Sequence, residues 1–131
     1  MAKILLVEDD PFLTTMYKTR FSSEGHEVLT AQDGEVALEM LKKTPPDLAM
    51  LDVMLPKLGG FAILEEMQKS DALKKIPVVV LTNLADEESI NKAKALGIKE
   101  FLIKAQHTPT QIFDVIKKYL PAPAPKTSEK S

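Results

Sequence analysis

Several apolar runs along the chain end directly in a polar side chain that can take part in chemistry. The runs are Ile4–Val7, Leu48–Leu51, Val78–Leu81 and Phe101–Ile103, and they are followed by Glu8 and Asp9, by Asp52, by Thr82 and by Lys104. Short continuous apolar runs are typical of strands that are buried on both faces of a parallel sheet. Because the carboxyl ends of such strands meet at one edge of the sheet, we expect these polar side chains to converge.

The segments between the runs have the apolar spacing of helices. Asp10 followed by Pro11 predicts the start of the first helix, and Gly25 predicts its end. A less apolar segment over residues 26–31 predicts an edge strand. The apolar helical faces are expected to include Leu13, Met16 and Phe21; Val36, Ala37, Met40 and Leu41; Phe61, Leu64 and Met67; Ile90, Ala93 and Leu96; and Ile112, Val115, Ile116 and Tyr119. Strands that alternate with helices in this way predict a parallel sheet with helices on both faces.

The composition fits one domain. The chain has 131 residues, of which 44% are hydrophobic, and we expect a domain over residues 1–120 and a Pro-rich disordered tail or linker over residues 121–131. The net charge of -2 gives no field that would attract nucleic acid or an anionic membrane. The absence of cysteine excludes disulfides and thiolate metal sites.

The apolar runs are too short for a signal peptide or for a membrane-spanning helix, which needs about 20 apolar residues. The sequence therefore predicts a soluble, cytoplasmic protein that contacts neither membrane nor nucleic acid directly.

The three converging carboxylates predict a metal site. Crowded carboxylates repel one another unless a cation offsets their charge, and oxygen ligands of this kind suit Mg²⁺. We expect Asp9 and Asp52 to bind the ion directly, Glu8 to act through a bound water, and the backbone carbonyl of Met54 to complete the protein ligands.

The same cluster predicts phosphoryl chemistry. A carboxylate beside Mg²⁺ and a lysine can attack phosphorus and form an aspartyl phosphate, so Asp52 is the candidate nucleophile. Lys104 and the metal would offset charge on the phosphoryl oxygens, and Thr82 would offer a hydroxyl to a further oxygen.

These residues resemble, in order and in spacing, the receiver domain of two-component response regulators. The resemblance covers residues 2 to about 120 and includes the stretch Asp52–Gly60, with proline four and glycine eight residues after the acceptor. It implies a flavodoxin-like (βα)5 fold, an α/β doubly wound five-stranded parallel sheet with strand order 2-1-3-4-5.

The resemblance also implies a function in a phosphorelay. Asp52 would take a phosphoryl group from a sensor histidine kinase or a phosphotransfer protein. Thr82 and Phe101 match the residues that act as a switch in such receivers, and we expect Phe101 to turn inward on phosphorylation. The fourth helix, fifth strand and fifth helix would then bind a downstream effector protein or a linked output domain. The domain would catalyse its own phosphorylation and dephosphorylation, with no turnover substrate.

The residues after Lys104 and those after Thr82 depart from the commoner family pattern. Ala105 follows Lys104 where proline is usual, so the sequence does not establish a cis peptide bond at this join. Thr82 is followed by Asn83, where a small residue is more usual, and then by Leu84, so the sequence does not establish how accessible the acyl phosphate is or how fast it is hydrolysed.

Three other classes of protein are alternatives to a phosphorylated receiver. A pseudo-receiver would keep the fold as an interaction module without being phosphorylated, and the two departures leave this alternative open. A haloacid-dehalogenase-like phosphatase would place a second aspartate at position 54, where this chain has Met54. A flavodoxin-like cofactor binder needs a phosphate-cradling loop after the first strand, where Glu8, Asp9 and Asp10 would repel a phosphate.

Overall fold

The computed structural model describes residues 2–55, 57–84 and 86–121 and shows one parallel sheet flanked by helices. The strands are β1 (Lys3–Val7), β2 (Glu27–Ala31), β3 (Leu48–Leu51), β4 (Val78–Thr82) and β5 (Glu100–Ile103). The helices are α1 (Pro11–Ser23), α2 (Gly34–Lys43), α3 (Gly60–Gln68), α4 (Glu87–Ala95) and α5 (Pro109–Ile116). Short 3₁₀ turns cover Leu73–Lys75, Lys104–Gln106 and Lys117–Tyr119. The strand order is β2-β1-β3-β4-β5, which confirms the predicted (βα)5 fold.

The two faces of the sheet bury separate apolar clusters. Alternate residues of each strand point to opposite faces, so that in β1 Leu5 and Val7 join one cluster while Ile4 and Leu6 join the other. The first cluster packs against α2, α3 and α4, and the second packs against α1 and α5. The inner strands are therefore apolar throughout, and their polar residues are left at the strand ends.

The helix boundaries follow local capping chemistry. The Asp10 side chain accepts hydrogen bonds from the first backbone N–H groups of α1, with Pro11 at the first helical position as predicted. Thr108 and Gln111 form a reciprocal capping box at the start of α5. Gly25 has a φ of 89° just after α1, a left-handed conformation that glycine adopts without steric cost.

Two details differ from the helical pattern in the sequence. Val36 was expected on the buried face of α2, but 41% of it is exposed. The helix packs through Ala37 and Leu41, which lie four residues apart on one face, and Val36 is turned about 100° away from Ala37 and about 140° away from Leu41. On α1 the pattern missed Tyr17, which is buried together with Phe21, and their rings stack with centroids 6.1 Å apart.

Of the predicted tail over residues 121–131, only Pro121 belongs to the described residues. The expected disorder of this segment thus lies outside them. Every helix in the described ranges is too short or too polar to cross a membrane.

A close contact fixes the loop that follows β3. The first residue of α2 is Gly34, and a Cβ atom added there would lie 1.6 Å from the backbone oxygen of Leu58. Leu58, in the loop that follows β3, therefore lies directly on the start of α2.

Gly34→Ala is expected to lower the free energy of unfolding by about 2 kcal/mol or more, because the added methyl group must displace backbone. Helix propensity alone predicts the opposite sign, a gain of about 1 kcal/mol. Urea denaturation of the wild type and the variant measures the difference.

The matched control is Gly59→Ala, since a Cβ at Gly59 would lie 3.5 Å from the Val53 oxygen, an ordinary contact. This change should alter stability by less than about 1 kcal/mol. Equal effects of the two substitutions would contradict the close-contact explanation.

Candidate functional site

The register of the sheet brings the polar strand ends to one edge. Val7 pairs with Leu51, Leu51 pairs with Val80, and Thr82 pairs with Ile103, so the residues that follow them are neighbours. An open cleft of about 610 Å³ lies at this edge. It is lined by Asp9, Asp52, Val53, Met54, Leu55, Thr82, Asn83 and Lys104. The convergence that the apolar runs predicted is therefore present.

Asp52 lies at the base of the cleft with only 5% of its surface exposed. Its Oδ1 accepts a hydrogen bond from the backbone N–H of Met54 at 2.9 Å, and its Oδ2 accepts one from Lys104 Nζ at 2.5 Å. The loop after β3 and the turn after β5 thus hold one carboxylate oxygen each. The Met54 side chain is 59% exposed at the rim, while its backbone reaches the site.

Lys104 contacts two buried carboxylates at once. Its Nζ lies 2.5 Å from Glu8 Oε1 and 2.5 Å from Asp52 Oδ2, and Glu8 Oε2 also accepts the backbone N–H of Asp10 at 3.1 Å. Burial raises the pKa of Glu8 above its ordinary value, although the hydrogen bond from Lys104 opposes this. Burial alone would lower the pKa of Lys104, but its hydrogen bonds to Asp52 and Glu8 outweigh burial and raise it. The lysine is therefore held as a cation.

Three acidic side chains in the cleft could hold a metal ion. One carboxylate oxygen from each of Glu8, Asp9 and Asp52 lies within 4.8 Å of the others. Glu8 and Asp52 are buried, whereas Asp9 is exposed and faces the open side. This all-oxygen set suits hard divalent cations such as Mg²⁺.

Thr82 and Phe101 lie on neighbouring strands and on the same face of the sheet, because Phe101 pairs with Val80 and Thr82 lies two residues beyond Val80. Thr82 is fully buried, and its Oγ1 accepts a hydrogen bond from the Leu84 backbone N–H at 3.2 Å. Phe101 is half-buried, and its ring packs against the cluster beneath α2, α3 and α4. A shallow cleft beside Phe101 is lined by residues of α4 and β5, including Ile90 and Lys94. The two predicted switch residues are thus one strand and two residues apart, and Phe101 is the more exposed of the two.

Sequence reasoning missed one contact at the site. Asn83 Oδ1 accepts a hydrogen bond from the backbone N–H of Ala105 at 3.0 Å. The peptide bond between Lys104 and Ala105 is trans. Both residues had been noted as separate departures from a family pattern, and nothing in their spacing indicated that they touch.

Comparison with known proteins identifies the class to which this site belongs. Residues 4–117 match the family described as response regulator receiver domain. The chain therefore belongs to the receiver domains of two-component response regulators, and the resemblance inferred from the motif is confirmed.

Individual relatives agree with this assignment. The chain is 38% identical over 102 residues to a probable transcriptional regulator, ycf27, of Cyanophora paradoxa, and the match covers 78% of this chain and 41% of that protein. The chain thus spans less than half the length of this curated relative.

Solved structures of response regulators share the fold along almost the whole chain. The Mn²⁺-bound form of response regulator Rcp1 is 28% identical, with a TM-score of 0.82 and coverage of 93% of this chain and 100% of that one. The phosphorylated cyanobacterial phytochrome response regulator RcpA is 32% identical, with a TM-score of 0.78 and coverage of 89% of each chain.

Proposed function

We propose that this receiver is a phosphoacceptor in which Asp52 takes a phosphoryl group from a histidine kinase or a phosphotransfer protein. The observation that carries the proposal is the geometry of Asp52, a carboxylate at the base of an open cleft whose oxygens are held by Lys104 Nζ and the Met54 N–H. The similarity to a phosphorylated response regulator supports it. An unphosphorylated pseudo-receiver would not need the acceptor and the ammonium in direct contact.

The transfer step is a displacement at phosphorus. An oxygen of the Asp52 carboxylate attacks the phosphorus of a phosphohistidine, and the bond from phosphorus to the imidazole nitrogen breaks. The electron pair stays on that nitrogen, and Asp52 becomes an acyl phosphate. Hydrolysis of this acyl phosphate returns the carboxylate and inorganic phosphate, so the domain is reset without a turnover substrate.

Two side chains of the cleft act on the transferred group. The Lys104 ammonium offsets charge on one phosphoryl oxygen, which is the main form of catalysis in phosphoryl transfer. The Thr82 hydroxyl donates a hydrogen bond to another phosphoryl oxygen. Its own oxygen already accepts the Leu84 N–H, so its proton is available for this donation.

The acidic cluster fits Mg²⁺. Asp9 and Asp52 would bind the ion directly, and the Met54 backbone carbonyl would complete the protein ligands. Glu8 would act through a water molecule; its Oε1 contacts Lys104 Nζ and its Oε2 accepts the Asp10 N–H. When bound, Mg²⁺ offsets the charge of the carboxylates and of the phosphoryl oxygens. The similarity to an Mn²⁺-bound response regulator supports a divalent ion at this position.

Phosphorylation changes the surface formed by α4, β5 and α5. Thr82 moves toward the phosphoryl group, and the half-buried Phe101 turns inward into the space beside β4. The altered surface then binds a downstream effector protein or a linked output domain. The phosphoryl group favours this conformation only through contacts that differ between the two states, and Thr82 and Lys104 are the residues that make them.

The first expected outcome concerns the acceptor. Incubation with Mg²⁺ and acetyl phosphate should add one phosphoryl group to the wild type and none to Asp52→Ala, as measured by intact mass. Asp114→Ala is the matched control, because Asp114 is an exposed aspartate on α5 and should leave the adduct unchanged. A folded wild type that takes no phosphoryl group from any small donor would favour the pseudo-receiver.

The second expected outcome concerns competition for the carboxylates. Lys104→Met should bind Mg²⁺ roughly tenfold more tightly than the wild type, because loss of the ammonium removes a positive charge that the ion would meet beside Glu8 and Asp52. Isothermal titration calorimetry measures the affinity.

The matched control for this experiment is Lys99→Met, which removes the same charge just before the opposite end of β5, about 17 Å along the strand direction. It should leave the Mg²⁺ affinity unchanged within about twofold, since charges beyond a Debye length of about 8–10 Å are screened. Unchanged or weaker binding by Lys104→Met would show that the lysine does not compete with the ion.

The third expected outcome concerns the switch. The chain contains no tryptophan, so Phe101→Trp provides a single fluorescent reporter. Beryllofluoride, which mimics the phosphoryl group, should shift its emission to shorter wavelength and reduce quenching by acrylamide. The same reporter combined with Thr82→Ala should lose both changes. Equal exposure of the reporter with and without beryllofluoride would remove the Phe101 mechanism.

A further inference from the structure

A side-chain hydrogen bond continues the pairing of β4 and β5 beyond the end of the strands. The ladder between these strands ends with Thr82 opposite Ile103. One residue further along β4, Asn83 Oδ1 accepts the backbone N–H of Ala105 at 3.0 Å. The residue between Ile103 and Ala105 is Lys104. The backbone before Lys104 is thus held by the pairing of β4 with β5. The backbone after Lys104 is held by the hydrogen bond to the Asn83 side chain.

The backbone of the turn that carries Lys104 is closed by a weak hydrogen bond of its own. It is a three-residue 3₁₀ turn, Lys104–Gln106, and the bond that closes it is long, 3.4 Å from the His107 N–H to the Lys104 oxygen. Such turns have poor hydrogen-bond geometry and are marginal alone. The Asn83 bond is shorter and joins the turn to a neighbouring strand, so it restricts the backbone on the far side of Lys104.

Restriction of this backbone matters because the Lys104 side chain must place its ammonium group between two buried carboxylates. The Lys104 ammonium lies 2.5 Å from both Glu8 and Asp52, between two carboxylates that are almost fully buried. Four side-chain torsions would otherwise let the charge move toward solvent, and lysine loses more rotamer freedom than most side chains when it is ordered. A fixed Cα position reduces the number of rotamers that remain open.

We propose that Asn83 is a positioning residue for Lys104. Its carboxamide oxygen, through the Ala105 N–H, holds the turn so that the ammonium stays at the acceptor carboxylate. Asn83 touches neither the phosphoryl donor nor Asp52 in this role and acts only through Lys104. The part of this inference that concerns phosphoryl transfer rests on the function proposed above.

The test compares three substitutions in the full chain. Asn83→Ala removes the acceptor oxygen, and Asn83→Asp keeps an oxygen at the same position. The matched control is Asn91→Ala, which makes the same chemical change at an exposed position on α4. The geometry is followed by NMR, through the Lys104 Nζ resonance and the exchange rate of the Ala105 amide proton. The chemistry is followed as the initial rate of acyl phosphate formation from acetyl phosphate at saturating Mg²⁺ and physiological salt.

Asn83→Ala is expected to shift the Lys104 Nζ resonance, to speed exchange of the Ala105 amide, and to lower the phosphorylation rate about five- to tenfold, the effect of one lost hydrogen bond. Asn83→Asp should restore the rate to within about twofold of the wild type, and Asn91→Ala should change nothing. In a Lys104→Met background, Asn83→Ala should lower the rate no further, because the residue acts through the lysine.

An unchanged Lys104 Nζ resonance in Asn83→Ala would overturn the positioning role, whatever the rate does. A shifted resonance with an unchanged rate would overturn its contribution to phosphoryl transfer. A rate loss that persists in the Lys104→Met background would show that Asn83 acts by a different route. If the wild type accepts no phosphoryl group while Nζ still responds as expected, the proposed function fails and the positioning role stands.

Discussion

A single ammonium group between two buried carboxylates is the interaction on which the site depends. Glu8 and Asp52 are 2% and 5% exposed, and Lys104 Nζ contacts both. Burial raises the pKa of Glu8, and the hydrogen bond and positive charge of Lys104 oppose that rise. The ammonium thus offsets part of the negative charge that Glu8 and Asp52 bring to the buried end of the cleft. Removing one partner of a buried pair usually costs several kcal/mol, roughly 3–5, because it leaves the other charge buried and uncompensated.

The parallel sheet explains why charges can be concentrated at this place. In β1, β3 and β4 almost every side chain is buried on one face or the other, so polar residues are excluded until each strand ends. The strands end together because their register is parallel and unbroken. A cleft opens where the connections from β1 and β3 leave toward opposite faces of the sheet, which is the general position of ligand sites in such folds. Burial of the apolar strands and exposure of the reactive edge are thus two results of one pattern.

The sequence predicted this pattern because each of its parts is local. Four apolar runs and the residues that follow them were sufficient to place Asp52, Thr82 and Lys104 at one edge, and Asp10 with Pro11 was sufficient to begin α1. What the sequence could not predict depends on contacts between distant segments. The close approach of Gly34 to Leu58 and the bond between Asn83 and Ala105 join residues more than twenty positions apart. Val36 was misplaced because the apolar positions of α2 span a wider arc than the face that packs on the sheet, and the sequence does not reveal where that face ends.

The bond between Asn83 and Ala105 also connects two features that looked independent. A proline at position 105 would have no N–H to donate, and a small residue at position 83 would have no oxygen to accept it. An alanine at 105 leaves a backbone donor beside a cluster of charges, and Asn83 supplies its acceptor. The two departures from the commoner receiver pattern are therefore one structural change. Counted separately they weakened the inference of a working site, whereas together they leave the Lys104 turn tied to β4.

The position of β5 in the sheet suggests how the site can affect a distant surface. This strand is at the edge and pairs only with β4, so a shift in β5 disturbs one ladder rather than two. Within five consecutive residues it carries Lys104 at the site, Phe101 on the α4 side, and Glu100, which accepts a hydrogen bond from Tyr119 beyond α5. Because a strand is stiff along its length, a displacement of its carboxyl end also displaces the other residues of the strand. On the proposed function, a phosphoryl group bound by Lys104 would have a short route through β5 to both neighbouring helices, and this route would require only that β5 has two positions of similar free energy.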